Sequence, residues 1–338
     1  MASSLAPDHE VASHSGSKPD GSPARIWLYD NAGNDQPIDE NGPLPEPGED
    51  QILWADLDYD HLDESKGLVE SLEIGDMIGS IEREARPSLI RGDGMLRLSI
   101  TALRDEDLEP RTLHALVGPN WVVTVHDDDL ELVERFNEPL VGETAIGDLD
   151  GPKFLSLLID WQLSGYFDAI AQLYDTIDEL DEKLLHTSPD EKALLERLIE
   201  LRREVRRLRD LLASHRELLG LLAHPESDSV VGSAATDDYQ RLEERLQQAL
   251  DEVAAGREMI VGSFEIFMTR TAQATNDVMR RLTIVSILLL PAVVIAGVMG
   301  MNFKVGFFDT SWLFWVVIGV MVLLGGATLF VTKRRGWF

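Results

Sequence analysis

The segments TIVSILLLPAVVIAGVMGM at residues 283–301 and WLFWVVIGVMVLLGGATLFV at residues 312–331 decide the architecture. Each is close to the roughly 20 apolar residues that cross a hydrocarbon layer about 30 Å thick. Between Leu282 and Thr332 the only charged residues are Lys304 and Asp309. Two membrane spans are predicted. Arg280 and Arg281 precede the first and Lys333, Arg334 and Arg335 follow the second, so the positive-inside bias puts both ends in the cytoplasm and the short loop outside. The competing reading, a buried helical hairpin of a soluble protein, is disfavoured by the length of both segments and by their basic flanks.

Working backwards from the first span, helical periodicity runs without proline from near Asp237 through Leu242, Leu246, Val253, Ile260, Phe264 and Phe267. Gly256 and Gly262 cost only about 1 kcal/mol each, less than the packing of a long amphipathic helix supplies. One helix is expected to run from the cytoplasm into the bilayer. Along it Asn276, Met279, Thr283, Ser286, Leu290, Val293 and Gly297 fall at alternating steps of three and four, the spacing that lets parallel helices pack around a common axis. Asn276, Ser286 and Gly297 would be odd choices for a stripe that only packs against its own second span, so a pore-lining seam is the favoured reading.

Upstream, Leu173, Ile177, Leu180 and Leu184 share one helical face, and Leu194, Leu198, Leu201, Val205, Leu208 and Leu212 share another, with Ser188-Pro189-Asp190 between them. An antiparallel helical pair follows, carrying an acidic strip of Asp175, Asp178, Glu179, Asp181 and Glu182. Before it, short apolar runs at Arg25–Tyr29, Ile52–Leu57, Met95–Leu103, Leu113–Val117 and Trp121–His126 read as strands, and Leu68–Ala85 reads as a helix. The predicted fold class is an α+β membrane protein. Its order is a disordered acidic tail over 1–24, a cytoplasmic α/β domain over 25–150, a helical pair over 151–235, a stalk helix over 236–282, a first span over 283–302, an external loop over 303–311, a second span over 312–332 and a basic tail over 333–338. The start of the sequence has no cationic region followed by an apolar run, so no signal peptide is read there.

The 338-residue chain has a formal charge of −30 and no cysteine. Nucleic acid is excluded as a partner because phosphate binding needs clustered cations, and thiolate metal sites are excluded outright. Oxygen ligands and hard cations fit best, although acidity alone also suits a salt-adapted source. His126-Asp127-Asp128-Asp129 is read as a solvated loop, since consecutive residues cannot all face one ion. No Walker sequence, nucleophile–base pattern or zinc-ligand spacing is present, which argues against ATP-driven transport and against an enzyme.

The run Asn276-Asp277-Val278-Met279-Arg280-Arg281-Leu282-Thr283, then Leu290-Pro291, then Ile295 through Phe303 with Gly300-Met301-Asn302, resembles the pore helix of the CorA family of magnesium and cobalt channels. The tripeptide is a weak signal alone; its place at the end of a penultimate span, before a short loop and a last span closing on Lys, Arg and Trp337, makes it specific. Looser likeness extends to Arg86-Pro87, Ala102-Leu103-Arg104 and Gly118 through His126, covering most of the chain after Ala24.

The resemblance implies a homopentameric funnel in the inner (plasma) membrane, with the first span of each subunit lining one pore. It implies a selectivity filter at Gly300, Met301 and Asn302, a hydrophobic constriction at Met279 and Leu282, Asn276 below it, and Gly297 lining the pore. Mg²⁺ would be both cargo and regulator. Magnesium gives up its water reluctantly, so five Asn302 amides accepting hydrogen bonds from the ion's waters suit it better than full dehydration. Asn302 also fits a helix C-cap. At the stalk position where the family would place a sensing aspartate stands Arg241, so Asp237, Asp238, Glu243, Glu244 and Asp251 are only candidate regulatory acids. Two other readings compete: a zinc transporter of the ZntB type, because the outer loop carries Lys304 and no glutamate, and a membrane-anchored metal sensor.

Overall fold

The computed structural model describes residues 24–30, 35–39, 42–48, 50–92, 94–104, 109–127, 150–185, 191–224, 233–301 and 311–334. Residues 1–23 of the expected tail, most of the expected external loop and the last four residues lie outside them. The chain divides into two compact units, Met1–Ile260 and Val261–Phe338.

The first unit is built on a seven-stranded sheet of order β2-β1-β3-β7-β6-β5-β4. The strands are β1 (Ala24–Asp30), β2 (Gln36–Ile38), β3 (Gln51–Asp58), β4 (Ser88–Gly92), β5 (Met95–Arg104), β6 (Glu109–Val117) and β7 (Trp121–His126). All neighbours are antiparallel except β3 and β7, which run parallel at the centre with Asp56 opposite Thr124 and Asp58 opposite His126. Five strands coincide with the apolar runs in the sequence. The two others, β2 and β4, have mostly exposed or half-buried side chains and so lack an apolar signature.

Leu68–Ala85 is not one helix. A short α1 (Lys66–Ser71) and a one-turn α2 (Gly75–Ile78) are separated by Glu73, whose φ of 56° is left-handed and stops helical propagation. Both sit over the face of the sheet formed by Ile26, Leu28, Leu53, Ala55, Leu57, Val123 and Val125. The central strands of this sheet are covered on both sides, so β3 is buried along almost its whole length instead of alternating.

On the other face lies α3 (Gly151–Leu185), where Phe154 meets Trp54 at 5.6 Å and Tyr29 at 6.4 Å between ring centroids. Its first residue has no room for a side chain: a Cβ on Gly151 would stand 2.0 Å from the Gly118 carbonyl, while its N–H donates to Pro119 O at 2.7 Å. The β6–β7 turn thereby fixes where α3 begins. Helix α4 (Glu191–Ser214) packs back along α3 through Leu194, Leu198, Leu201, Val205, Leu208 and Leu212. A separate helix α5 (Arg216–Ala223), which periodicity did not distinguish, follows His215. Buried His215 is pinned to the sheet, its Nε2 accepting from Thr101 N–H at 3.0 Å and its Nδ1–H donating to Leu211 O at 2.9 Å. Burial pushes its pKa down to about 4, so it is a neutral strut.

Helix α6 (Ser233–Met299) is a single element of 67 residues. Within the first unit its face Ala235, Tyr239, Leu242, Leu246, Ala249, Val253 and Ile260 is buried. Tyr239 Oη donates to Pro152 O at 2.7 Å and Tyr174 Oη to Glu252 O at 2.7 Å, which ties this part of the helix to α3. Helix α7 spans Ser311–Arg334. Among the described residues one helix, α6, is long and apolar enough to cross a membrane, while α7 contributes a shorter apolar stretch, Trp315–Thr328.

At the carboxyl ends of the parallel pair sits a buried charged chain. Trp54 Nε1 donates to Thr124 Oγ1 at 3.0 Å, Thr124 Oγ1 donates to Asp56, and His126 Nε2 lies 3.0 Å from Asp56 Oδ1. Burial alone would lower the His126 pKa, but the Asp56 charge and hydrogen bond, with the Asp127 carbonyl, push it up to about 9. A histidine raised in the fold stabilises fully below its unfolded pKa of about 6.5 and loses that contribution as pH rises through the folded value. Unfolding of the detergent-solubilised protein should therefore show a loss of up to about 3 kcal/mol between pH 7 and 10 that His126→Gln removes. Identical pH profiles for both proteins would contradict the ion pair.

Candidate functional site

The site expected from the sequence is the carboxyl-terminal third of α6. Asn276, Met279, Leu282, Thr283, Ser286, Leu290, Val293 and Gly297 are all exposed there, Leu290 and Val293 by 67% and 66%. From Thr283 onward the residues of α6 partly or fully covered within the chain are Ile284, Leu288, Pro291, Ala292, Ile295 and Met299. At about 100° per residue these two sets lie on nearly opposite sides of the helix. The seam is therefore not the surface by which α6 packs within its own chain.

The seam's hydroxyls are already satisfied. Thr283 Oγ1 donates to Met279 O at 2.8 Å and Ser286 Oγ to Leu282 O at 2.9 Å, so neither is an unpaired group in an apolar setting. Pro291 has no N–H to give to the preceding turn, yet α6 continues through it to Met299. Gly300 N–H then bonds to Ala296 O at 2.9 Å and Met301 N–H to Val298 O at 3.2 Å, which ends the helix in a tight turn. Asn302, the central residue of the expected filter, lies outside the described residues, as do Lys304 and Asp309.

The candidate regulatory acids separate into two groups. Asp237, Glu244 and Asp251 recur every seventh residue and form one exposed line along α6. Asp238 is ion-paired with Arg241, the residue that stands where an acid was expected, and Glu243 is partly covered. Asp251 accepts from Gln247 Nε2 at 2.9 Å. Among the described residues no group of three or more His, Asp or Glu side chains is arranged to hold a metal ion.

The His126–Asp129 run divides in the same way. His126 is turned into the core toward Asp56, and Asp127 pairs with Arg83 at 2.8 Å, which leaves neither free to ligate an ion. Asp128 and Asp129 are outside the described residues. Sequence reading missed the His126–Asp56 pair, because 70 residues separate its partners. It also passed over the arginines of α4, whose spacing alone would have shown one charged face.

The description CorA-like Mg²⁺ transporter protein belongs to the family model that matches residues 49–334. The cobalt/magnesium transport protein CorA of Methanocaldococcus jannaschii is 23% identical over 319 residues, covering 89% of this chain and 98% of its own. The complete structure of the M. jannaschii CorA magnesium transporter superposes with a TM-score of 0.77 at 20% identity, covering 94% of this chain and 99% of that one. A full-length CmaX structure matches at a TM-score of 0.70 and 19% identity, over 95% of this chain and 100% of that one. The cytoplasmic domain of ZntB from Vibrio parahaemolyticus matches at 0.56 and 10% identity, over 74% of this chain and 98% of that one. With the family model spanning both the sheet domain and the apolar helices, the chain belongs to the CorA-like Mg²⁺ transporter family.

Proposed function

We propose that the protein is a passive channel for divalent metal cations, Mg²⁺ first and Co²⁺ or Ni²⁺ by the same route, assembled as a homopentamer in the plasma membrane with both termini cytoplasmic. The observation that carries this reading is the exposed seam on α6, opposite the stripe covered within the chain, in a member of this family. A face of Asn, Met, Ser, Leu, Val and Gly is too polar for lipid throughout and suits a helix lining a narrow water path. Helix α7 is the second span in this reading: its 24 residues give about 36 Å, enough for a hydrocarbon core of about 30 Å.

Transport then needs no chemical fuel. A divalent ion gains about 4.6 kcal/mol from each 100 mV of inside-negative potential, twice the roughly 2.3 kcal/mol for one charge. At the outer mouth Gly300 lets the backbone turn near the axis, and Asn302 carbonyl oxygens accept hydrogen bonds from the waters of the hydrated ion. At the cytoplasmic side a ring of Met279 and Leu282 closes by expelling water, with Asn276 beneath it. Asp237, Glu244 and Asp251, aligned on one exposed line of the stalk, are the acids best placed to bind intracellular Mg²⁺ between neighbours and favour closure.

Native mass spectrometry in detergent should give about five subunits per particle; a stable monomer or dimer would remove the central pore. In proteoliposomes, Met279→Gly or Leu282→Gly should raise Mg²⁺ flux several-fold and blunt its inhibition by internal Mg²⁺, and full closure of both variants would place the gate elsewhere. Asn302→Ala should abolish Mg²⁺ uptake with the oligomer intact, whereas Asn302→Asp should bind cobalt hexaammine more tightly, because five carboxylates concentrate charge on the axis. Uptake at the unmodified rate by Asn302→Ala would reduce that amide to a helix cap. Parallel uptake of Zn²⁺ with a pH gradient separates this reading from a zinc transporter.

A further inference from the structure

The first unit holds a second charged feature, apart from the α6 seam. On α4, Arg202, Arg203, Arg206 and Arg207 lie on the side away from the buried leucine line and are exposed. They form one wall of an open cavity of about 1110 Å³ whose other wall includes Arg86 and Pro87 before β4 and Arg111 and Thr112 of β6. Seven of the chain's 30 basic residues line this one cavity, in a protein carrying 60 acids. Three carboxylates, Glu84, Asp127 and Asp210, line it with them.

Among the described residues no carboxylate is paired with the five central arginines. Arg83 is paired with Asp60 and Asp127, and Arg111 with Glu109. Arg197, one turn earlier on α4, is paired with Glu200 and Glu204. By contrast, the side chains of Arg86, Arg202, Arg203, Arg206 and Arg207 make no ion pair or hydrogen bond among the described residues, although Asp210 sits three and four positions beyond two of them. Arg202 over Arg206 and Arg203 over Arg207 are like charges at helical i, i+4 spacing, which is unfavourable in an isolated helix. An anion entering the cavity would relieve that repulsion.

The chemistry of the walls selects the anion. Among the described residues no aromatic ring lines the cavity, so they offer no platform for stacking a base. Guanidinium forks match phosphate oxygens two at a time. Arg202 and Arg207 are about 7.5 Å apart along the helix axis, and Arg86 approaches from the facing wall, so one phosphate group does not reach all of them. We propose that this groove binds a phosphate-rich anion, a polyphosphate chain or a multiply phosphorylated headgroup, through Arg86 on one wall and Arg202, Arg203, Arg206 and Arg207 on the other. The site is independent of the transport reading and its binding is measured without ion flux.

The test uses the full-length protein in detergent, in metal-free buffer at near-physiological salt, titrated calorimetrically with sodium tripolyphosphate. The double variant R203Q/R207Q should weaken binding at least tenfold, while R209Q, an exposed arginine of the same helix outside the groove, should leave it unchanged. All three substitutions are on exposed positions, and matching thermal unfolding confirms intact folding. ATP and vesicles containing phosphatidylinositol bisphosphate are run in parallel, so retention of the vesicles alone assigns the lipid headgroup and retention of the soluble phosphates assigns a free anion. Equal losses in R203Q/R207Q and R209Q would reduce the effect to diffuse charge and overturn the site. So would a wild-type protein that binds none of the three probes, as when a neighbouring copy's carboxylates fill the groove.

Discussion

A helix crossing lipid must satisfy its backbone polar groups within itself, and α6 runs as one continuous helix from the folded first unit into its apolar end, with Pro291 alone in that end lacking an N–H for the preceding turn. In its first third the apolar face is covered: Tyr239, Leu242, Leu246, Ala249 and Val253 are buried against their own chain. Beyond Val261 the pattern inverts, and Met279, Leu282, Leu290 and Val293 are more than half exposed. The same helical geometry is stabilised by tertiary packing in one part and presents apolar side chains outward in the other. Polar side chains in the second part fold back on the helix, as Thr283 and Ser286 do, so that the seam carries hydroxyls without unpaired donors.

The first part of α6 is held by what the sheet holds. Gly118 and Gly151 permit α3 to start in contact with the β6–β7 turn, and Tyr239 and Tyr174 then bond α6 and α3 together through backbone carbonyls. Near the start of this chain of contacts lies the parallel pair β3 and β7, locked at its carboxyl ends by Asp56, Thr124 and His126. A buried ion pair is costly to desolvate and destabilising to break, so Asp56 and His126 hold each other in place at the end of the parallel pair. Charge elsewhere follows a different rule. Most acids are solvated, while five arginines without an ion pair among the described residues are gathered in one groove of the first unit.

Much of this was legible without coordinates. Two apolar segments near twenty residues, their basic flanks and the three-and-four spacing from Asn276 to Gly297 are read directly from the sequence, because hydropathy and helical periodicity are properties of local order. The five strands with apolar runs were legible for the same reason, since burial imposes composition. β2 and β4 were not, because edge strands with exposed side chains have no such imprint, and the break at Glu73 depended on a backbone angle that composition does not mark.

The sequence by itself determined which residues form the α6 seam and that an acidic, cysteine-free chain ends in apolar helices, because these are properties of local order along the chain. Only the tertiary structure decided which side of α6 is covered within the chain, that His126 faces Asp56 instead of an ion, that Arg241 neutralises Asp238, and that arginines from α4 and from the segment before β4 share one cavity. Each of those depends on which distant segments meet. Pairings across 70 residues or across two walls of a groove are set by packing, and no periodicity records them.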